Sequence, residues 1–317
     1  MPASFGVVHA LTSLDRQRVE DLLRRDEFFW LDLKGPGDDD LTALEEIFGF
    51  HHLTLEDVRK SGRRPKLDNY DRYAFVVFYG ARQENDRVAL TELDLYLSGS
   101  YVISIHHAPC AELDELRRIF ERNPERGEQF VLYKIFDALT DSFFPVLSSM
   151  DDEIDEIENR IVEQPTDEQL QVIFRLKRDL VAMRRVVTPQ RDLFARAIED
   201  ITALPGLEPA THDYFRDVYD HLIRISDQID SQRDLLTSAM DVYLSTVSNR
   251  LNQVMKQLTI IATIFLPLTF VTGFFGQNFL WLIKHVDTLG AFLGFGVGGL
   301  LLSALLLLGW FRRAGYI

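Results

Sequence analysis

One side of the long C-terminal helical region carries only uncharged side chains, many of them small. Steps of three and four residues, which keep side chains on one face of a helix, connect eight positions there. These positions are Asn252, Met255, Leu258, Ala262, Leu266, Thr269, Gly273 and Gly276. In a ring of identical subunits this face would line a narrow neutral lumen, with a hydrophobic constriction of the dewetting type. Ordinary helix–helix packing, where small residues also collect, is the alternative.

The sequence carries none of the motifs that mark common catalytic sites. It has no phosphate-binding loop, no nucleophile elbow and no zinc-protease helix. Its single cysteine, Cys110, excludes an internal disulfide and a cysteine-based zinc cage. The formal charge of −15 argues against nucleic-acid binding, since phosphates require clustered Lys and Arg. We therefore expect neither an enzyme nor a nucleic-acid-binding protein, and no organic cofactor.

Two C-terminal stretches are long and apolar enough to cross a membrane. Residues 258–275 and 289–311 contain no charged side chain, and about 20 apolar residues span a bilayer core. A buried helical hairpin in a soluble protein is the alternative. Basic residues precede the first stretch and follow the second, namely Arg250, Lys256, Arg312 and Arg313. Both termini are therefore expected in the cytoplasm, and because the N-terminus lacks the pattern of a signal peptide, the cell (inner) membrane is the expected location.

The patterns upstream predict an N-terminal cytoplasmic α/β domain followed by long helices. Strand-like and helical runs alternate through residues 1–125. Two long helices, 128–163 and 167–203, are expected to meet at Pro165, where Thr166 and Gln169 have the spacing of a capping box. Pro189 is expected to kink the second helix or end it early.

From Asp213 to Phe275 nothing in the sequence stops a helix, since the first Gly is Gly273 and the sole Pro, Pro267, lies within the expected first span. A helix of this length needs partners, and two spans per chain cannot enclose a pore, so conduction requires a ring of identical subunits. The expected domains are 1–125 (cytoplasmic α/β), 126–210 (paired long helices), 211–257 (cytoplasmic part of the stalk helix), 258–275 (first, pore-lining span), 276–288 (outer loop), 289–311 (second span) and 312–317 (cytoplasmic tail).

The residues of this region also resemble a known family. The segment "SNRLNQVMKQLTIIATIFLPLTFVTGFFGQNF" (248–279) closely resembles the pore helix of the CorA family of divalent-cation transporters. Residues 214–245 resemble the preceding stalk, and "HHLTLEDV" with "RPKLDNYDRYAFVVF" (51–78) resembles the cytoplasmic domain. The likeness extends over residues 28–317. It implies an α+β membrane protein that assembles as a funnel-shaped homopentamer, with the first span lining the pore.

The family signature Gly-Met-Asn stands here as Gly276-Gln277-Asn278. The resemblance implies an ion-selecting mouth, where a ring of Asn278 amides offers neutral oxygens to hydrated Mg²⁺, an ion that dehydrates reluctantly. Without the resemblance these residues are typical of a helix C-cap. The polar Gln277 departs from the family, and so does an outer loop with Asp287 as its only acid. The zinc-transporting ZntB branch, which His285 would suit, is the alternative.

The resemblance further implies cytoplasmic sites where Mg²⁺ bridges subunits and closes the pore. It sets Asp57 opposite Asp241 of the neighbouring chain. Weaker candidate ligands are Glu56, Asp217 and Asp220. For Asp57 the alternative is a capping box with Thr54, and for Asp241 it is a solvated position on the stalk.

The expected function is gated, channel-like influx of Mg²⁺, with Co²⁺ and Ni²⁺ as further ions. Mg²⁺ would be both transported and regulatory, and the partners would be further copies of the chain, the lipid bilayer and divalent cations. Proton-coupled Zn²⁺ transport of the ZntB type and a non-conducting membrane-anchored metal sensor are the alternatives. Neither span contains the titratable group that proton coupling should need, which favours the channel.

Overall fold

The computed structural model describes residues 8–122, 128–202, 211–277, 280–285 and 288–314. The chain divides into two compact units, Met1–Met240 and Asp241–Ile317. The first unit contains a sheet with its surrounding helices. The second contains the apolar C-terminal helices.

A six-stranded mixed sheet forms the centre of the first unit. Its strands are β1 (His9–Leu11), β2 (Phe29–Lys34), β3 (Lys66–Asn69), β4 (Ala74–Glu84), β5 (Arg87–Ser98) and β6 (Tyr101–His106). Their spatial order is β1-β2-β6-β5-β4-β3. The pairs β1–β2 and β2–β6 are parallel, and the other three pairs are antiparallel. Every residue of β6 and all but the last of β2 are buried, so this part of the sheet is covered on both faces.

In the described part of the first unit, four helices lie between or directly after the strands, and three longer helices come next along the chain. They are α1 (Arg16–Arg25), α2 (Asp38–Phe48), α3 (His52–Val58), α4 (Ala111–Arg122), α5 (Glu128–Asp141), α6 (Phe143–Glu163) and α7 (Asp167–Thr202). The capping box predicted after Pro165 is present, because the Thr166 N–H donates to Gln169 Oε1 at 3.0 Å and the Gln169 N–H donates to Thr166 Oγ1 at 3.5 Å. Helix α7 continues through Pro189, so the prediction of an early end was wrong.

The helix predicted over 128–163 is two helices, separated at Ser142. The Ser142 hydroxyl accepts from the Ala81 N–H at 2.8 Å and donates to the Leu139 carbonyl at 2.6 Å. Beside it, Gly80 lets the sheet approach closely, since a Cβ there would lie 2.9 Å from both Leu139 Cδ2 and Ser142 Oγ. The break between α5 and α6 therefore coincides with a close contact to β4. The periodic pattern of a single helix cannot predict such a contact.

An aromatic cluster packs the long helices onto the sheet. Phe78 of β4 lies 5.0 Å from Phe136 of α5 and 5.7 Å from Phe194 of α7, measured between ring centroids. Phe215 lies 6.1 Å from Phe136, and all four side chains are fully buried. Rings at these separations add to the burial energy, so the cluster holds these helices against the sheet.

Phe215 belongs to α8 (Thr211–Phe275), a helix of 65 residues that contributes to both units. The second unit also contains α9 (Leu280–His285), α10 (Leu289–Ala291), a π-helical segment (Phe292–Val297) and α11 (Gly298–Arg313). By length and composition, Asp213–Phe275 and Leu289–Arg313 each include a stretch able to cross a membrane. The N-terminal domain of strands and helices, the long helix and two candidate membrane helices were expected from the sequence, which did not predict how the strands pair.

The second of these helical regions is not a regular α-helix throughout. At the C-terminal end of the π-helical segment the Gly298 N–H bonds to the Leu293 carbonyl, five residues earlier. A Cβ at Gly298 would lie 3.3 Å from that carbonyl, so the glycine eases the wider turn. Such turns are usually single insertions within an α-helix.

Candidate functional site

The uncharged face predicted on α8 is exposed along its whole length. Leu258 is 66% exposed and Leu266 is 76% exposed. The other predicted positions on α8, Asn252, Met255, Ala262, Thr269 and Gly273, are exposed as well. The Thr269 hydroxyl donates to the Phe265 carbonyl at 2.8 Å, so its oxygen can still accept a hydrogen bond.

The opposite side of the apolar part of α8 is partly covered. Its half-buried residues are Ile260, Thr263, Ile264, Pro267, Leu268 and Val271. At roughly 100° per residue, these positions centre on the side of the helix away from Leu258, Ala262 and Thr269. The remaining exposed surface includes large aromatic side chains, such as Phe265 and Phe270. The predicted face therefore differs from its neighbours by being small and mildly polar, not by exposure alone.

Helix α8 ends at the Gly-Gln part of the signature. The Gly276 N–H bonds to the Thr272 carbonyl at 2.9 Å, and the Gln277 N–H bonds to the Phe274 carbonyl at 3.3 Å. A Cβ at Gly276 would lie 3.1 Å from the Thr272 carbonyl, which favours glycine there. Asn278 lies outside the described residues, and so does Asp287.

Asp57 lies in the last turn of α3 and already has a cationic partner. Lys66 Nζ donates to Asp57 Oδ2 at 2.8 Å, and Arg63 Nη1 lies 4.0 Å from the same oxygen. Burial lowers the pKa of Lys66, but its hydrogen bonds to Asp57 and Asp68 outweigh this and the pKa is raised. A metal ion at Asp57 Oδ2 would therefore compete with an ammonium group.

The alternative role of Asp57 in a capping box is wrong. Helix α3 begins after His51, whose Nδ1 accepts from the Leu53 N–H at 3.2 Å. Thr54 lies inside the helix and its hydroxyl donates to the His51 carbonyl at 2.8 Å. The N-cap of α3 is therefore His51, one turn before Thr54, which the sequence pattern had suggested as the N-cap. Glu56, the neighbouring candidate, is paired with Lys60.

Asp241 is exposed and opens the second unit, whereas Asp57 belongs to the first. Among the described residues no ion pair to Asp241 is recorded. The expected pairing of Asp57 with Asp241 across subunits stays a prediction. Asp217 Oδ2 accepts from the Tyr133 hydroxyl at 3.3 Å, and Asp220 is exposed.

A group of possible metal ligands that sequence reasoning missed lies in the first unit. One ligand atom each from Asp137, Asp141 and His221 lies within 4.8 Å of the others. His221 Nδ1 is 2.8 Å from Asp141 Oδ1, and Lys134 Nζ donates to Asp137 Oδ2 at 2.8 Å. The spacing of Asp137 and Asp141, one turn apart on α5, was a usable signal, but their histidine comes from α8, 80 residues later.

The electrostatics of this cluster favour a cation. Burial raises the pKa of Asp141, the neighbouring Asp137 carboxylate raises it further, and His221 partly offsets both effects. Side-chain exposure is 13% at Asp137, 49% at Asp141 and 22% at His221, so an ion can enter from the Asp141 side. Imidazole with carboxylates suits Co²⁺, Ni²⁺ or Zn²⁺ better than Mg²⁺, which prefers oxygen ligands.

Residues 25–313 match the family model described as CorA-like Mg²⁺ transporter protein. The cobalt/magnesium transport protein CorA of Thermotoga maritima is 37% identical over 257 residues, which cover 79% of this chain and 73% of that protein. The zinc transport protein ZntB of Yersinia enterocolitica is more distant, at 23% identity over 265 residues, covering 82% of this chain and 80% of that protein.

The solved structure of the complete CorA magnesium transporter from Methanocaldococcus jannaschii is similar to this one. Its TM-score is 0.79 at 23% sequence identity, and the likeness covers 91% of each chain. At that level of identity the likeness establishes a shared fold.

Proposed function

This chain belongs to the CorA-like Mg²⁺ transporter family, whose members are divalent-cation transporters and not enzymes, and from that membership we propose that it conducts Mg²⁺ through a pore lined by α8. The observation that carries the proposal is the exposed, uncharged face of α8 opposite its half-buried side. Charged side chains in such a lumen would bind a divalent ion too tightly for release, whereas neutral oxygens and apolar groups allow passage.

The proposed pore needs several chains. Two candidate spans per chain cannot enclose a lumen, so a closed ring is required, and the family resemblance makes five the expected number. Basic residues at Arg250, Lys256, Arg312 and Arg313 support cytoplasmic placement of both termini in the cell membrane. Native mass spectrometry of the detergent-solubilised protein tests the subunit count, and a stable dimer would contradict it.

Selectivity in this proposal depends on the outer mouth. Gly276 and Gln277 close α8, and Asn278 would then offer a ring of amide oxygens to the hydration shell of the entering ion. Asn252 and Thr269 would provide further neutral oxygens along the lumen. Because Mg²⁺ gives up water reluctantly, hydrogen bonds to its waters suit it better than direct ligands.

We propose two kinds of cytoplasmic regulatory site. The first is Mg²⁺ between Asp57 and Asp241 of neighbouring chains, supported by the exposure of Asp241 and by the resemblance. Its affinity is limited by Lys66, which already neutralises Asp57. The second is the cluster of Asp137, Asp141 and His221, whose imidazole makes it a site for Co²⁺ or a similar transition metal.

Zinc transport is the second candidate function. His285 Nδ1 lies 2.9 Å from the Trp281 carbonyl, so a proton on Nδ1 leaves Nε2 free to bind a metal in the outer loop. The similarity to ZntB supports the same idea. The absence of titratable groups in both sequence spans weighs against proton coupling.

Ion flux into liposomes tests the proposal. Purified protein is reconstituted, and Mg²⁺, Co²⁺ or Zn²⁺ entry is followed with a dye, with and without a pH gradient. We expect Mg²⁺ entry without a gradient. Asn278→Ala should lower it about tenfold, as expected for the loss of hydrogen bonds worth about 1.5 kcal/mol to a charged species.

The matched control for this experiment is Asn159→Ala, an exposed asparagine on α6 whose amide donates to the Asp155 carbonyl at 2.9 Å. Flux through this variant should equal that of the parent. Zinc entry that follows the pH gradient would replace the channel with a coupled zinc transporter. A folded, pentameric protein that passes no ion would be a membrane-anchored sensor instead.

A further inference from the structure

A large cavity in the first unit lies away from the proposed pore and from the acidic cluster. Its volume is about 940 Å³, a size typical of sites for small molecules. Five segments line it, namely the connection between α3 and β3, strand β4, strand β5, the residues after β6, and the middle of α7. All of them belong to one compact unit, so the cavity is a property of the single chain.

The lining is strongly cationic, although the protein is acidic. Four arginines contribute to it, Arg63, Arg64, Arg184 and Arg185, against the single carboxylate of Glu92. The lining side chains carry 4 − 1 = +3 formal charges, and including Asp94 and Asp230, which pair with Arg63 and Arg184, leaves 4 − 3 = +1, in a chain whose net charge is −15. Concentrated positive charge in a concave site attracts anions.

Two of these arginines are committed to neighbours within the protein. Arg63 forms ion pairs with Glu92 and with the buried Asp94. Arg184 Nε lies 3.2 Å from Asp230 Oδ1. These contacts hold the wall of the cavity in place and use up much of the charge of both guanidinium groups.

The other two arginines are available. In the described parts of the chain, no ion pair or side-chain hydrogen bond is recorded for Arg64 or Arg185, and both side chains are exposed. Arg63 Nη1, in contrast, is buried and lies 4.0 Å from Asp57 Oδ2, so it belongs to the wall of the cavity. Guanidinium groups match phosphate oxygens with two parallel hydrogen bonds.

The other residues that line the cavity suit the part of a phosphate-bearing ligand that carries no phosphate. Leu90, Ala182 and Val186 supply apolar wall, and Ser61 and Thr188 supply hydroxyl groups. We propose that this cavity binds a small molecule bearing two or more phosphates, of the size of a nucleotide, with Arg64 and Arg185 holding the phosphates. The two arginines come from segments about 120 residues apart. A site of this kind therefore has no contiguous phosphate-binding motif in the sequence. The proposal is independent of the transport function.

Calorimetric titration of the full-length protein in detergent tests this, in buffer with EDTA and no divalent metal, so that nucleotides cannot act by removing Mg²⁺. The probes are ATP, ADP, AMP, adenosine and pyrophosphate. Affinity should fall in the order ATP, ADP, AMP, and adenosine should not bind. Pyrophosphate binding as tightly as ADP would support the phosphate site and identify a simple polyphosphate as sufficient.

The double variant Arg64→Gln/Arg185→Gln should weaken ATP binding about tenfold or more, because each guanidinium contributes charge-assisted hydrogen bonds. Its thermal midpoint should match that of the parent, since neither side chain forms an ion pair or a side-chain hydrogen bond within the described ranges. The control is Arg178→Gln, an exposed arginine of the same helix α7 that lies outside the cavity lining. No nucleotide binding at millimolar concentration, or equal ATP affinity in the double variant, would overturn the proposal.

Discussion

Replacing Lys66 by glutamine should make the pore close at lower Mg²⁺ concentration. The ammonium of Lys66 lies 2.8 Å from Asp57 Oδ2 and 2.7 Å from Asp68 Oδ2. A cation that binds Asp57 through Oδ2 competes with this ammonium group. Lys66→Gln removes this competitor and leaves Arg63 Nη1, 4.0 Å away, as the nearest remaining positive charge.

The size of the effect follows from the exposure of the pair. At 2.8 Å the Coulomb attraction is about 1.5 kcal/mol in bulk water. The side chains of Lys66 and Asp57 are 35% and 32% exposed, and pairs near the surface contribute about 0.2–1 kcal/mol in practice. Taking about 0.5–1 kcal/mol, the Mg²⁺ concentration that halves the flux should fall roughly two- to fivefold.

The assay is flux into liposomes at increasing Mg²⁺ on the side of the cytoplasmic domain. Lys60→Gln is the matched control, because Lys60 pairs with Glu56, one residue before Asp57. It should leave the half-inhibitory concentration unchanged. An unchanged value for Lys66→Gln would refute the role of Asp57, and a shift for Lys60→Gln alone would assign the site to Glu56.

Three further changes test other parts of the molecule. Asp141→Asn should weaken Co²⁺ binding at least about tenfold, measured by the visible absorption of bound Co²⁺, whereas the exposed Asp152→Asn should not. Gly80→Ala should lower the free energy of unfolding by about 1–3 kcal/mol, measured by chemical denaturation, because its Cβ would lie 2.9 Å from Leu139 and Ser142. Burial lowers the pKa of His106, but hydrogen bonds to Asp32 and Ala108 raise it overall. The stabilisation that protonated His106 contributes is therefore fully present when the pH is below the ordinary histidine pKa. It is lost as the pH rises through the raised pKa of His106. The thermal midpoint of the parent should fall over this pH range. His106→Gln should make that fall smaller, and a fall as steep as the parent's would contradict the prediction.

Local patterns predicted the elements that local chemistry determines. The capping box at Thr166 formed as expected, because its two hydrogen bonds involve residues only three apart. Likewise, the apolar, strand-like runs "FFWLDL" (28–33) and "YVISIH" (101–106) overlap β2 and β6. The short polar strand β3, "KLDN", was missed, since only its pairing with β4 makes it a strand.

Contacts between distant segments account for what sequence reasoning could not find. The break at Ser142 depends on Gly80 and Ala81 of β4. The neutralisation of Asp57 depends on Lys66, which follows an irregular connection and has no periodic relation to it. The candidate pore face, in contrast, is a property of one helix, and its positions could be chosen from spacing alone.

The π-helical segment Phe292–Val297 has a consequence for how this region tolerates changes in length. A π turn holds one more residue than the α turn it replaces. Deleting Gly294 should therefore convert the segment to regular α-helix without rotating α11, so Ser303 and Leu307 would keep their orientation. The same deletion at Gly309, inside the regular helix, would rotate every later residue by about 100°. We therefore expect the protein to tolerate deletion of Gly294 and to be damaged by deletion of Gly309.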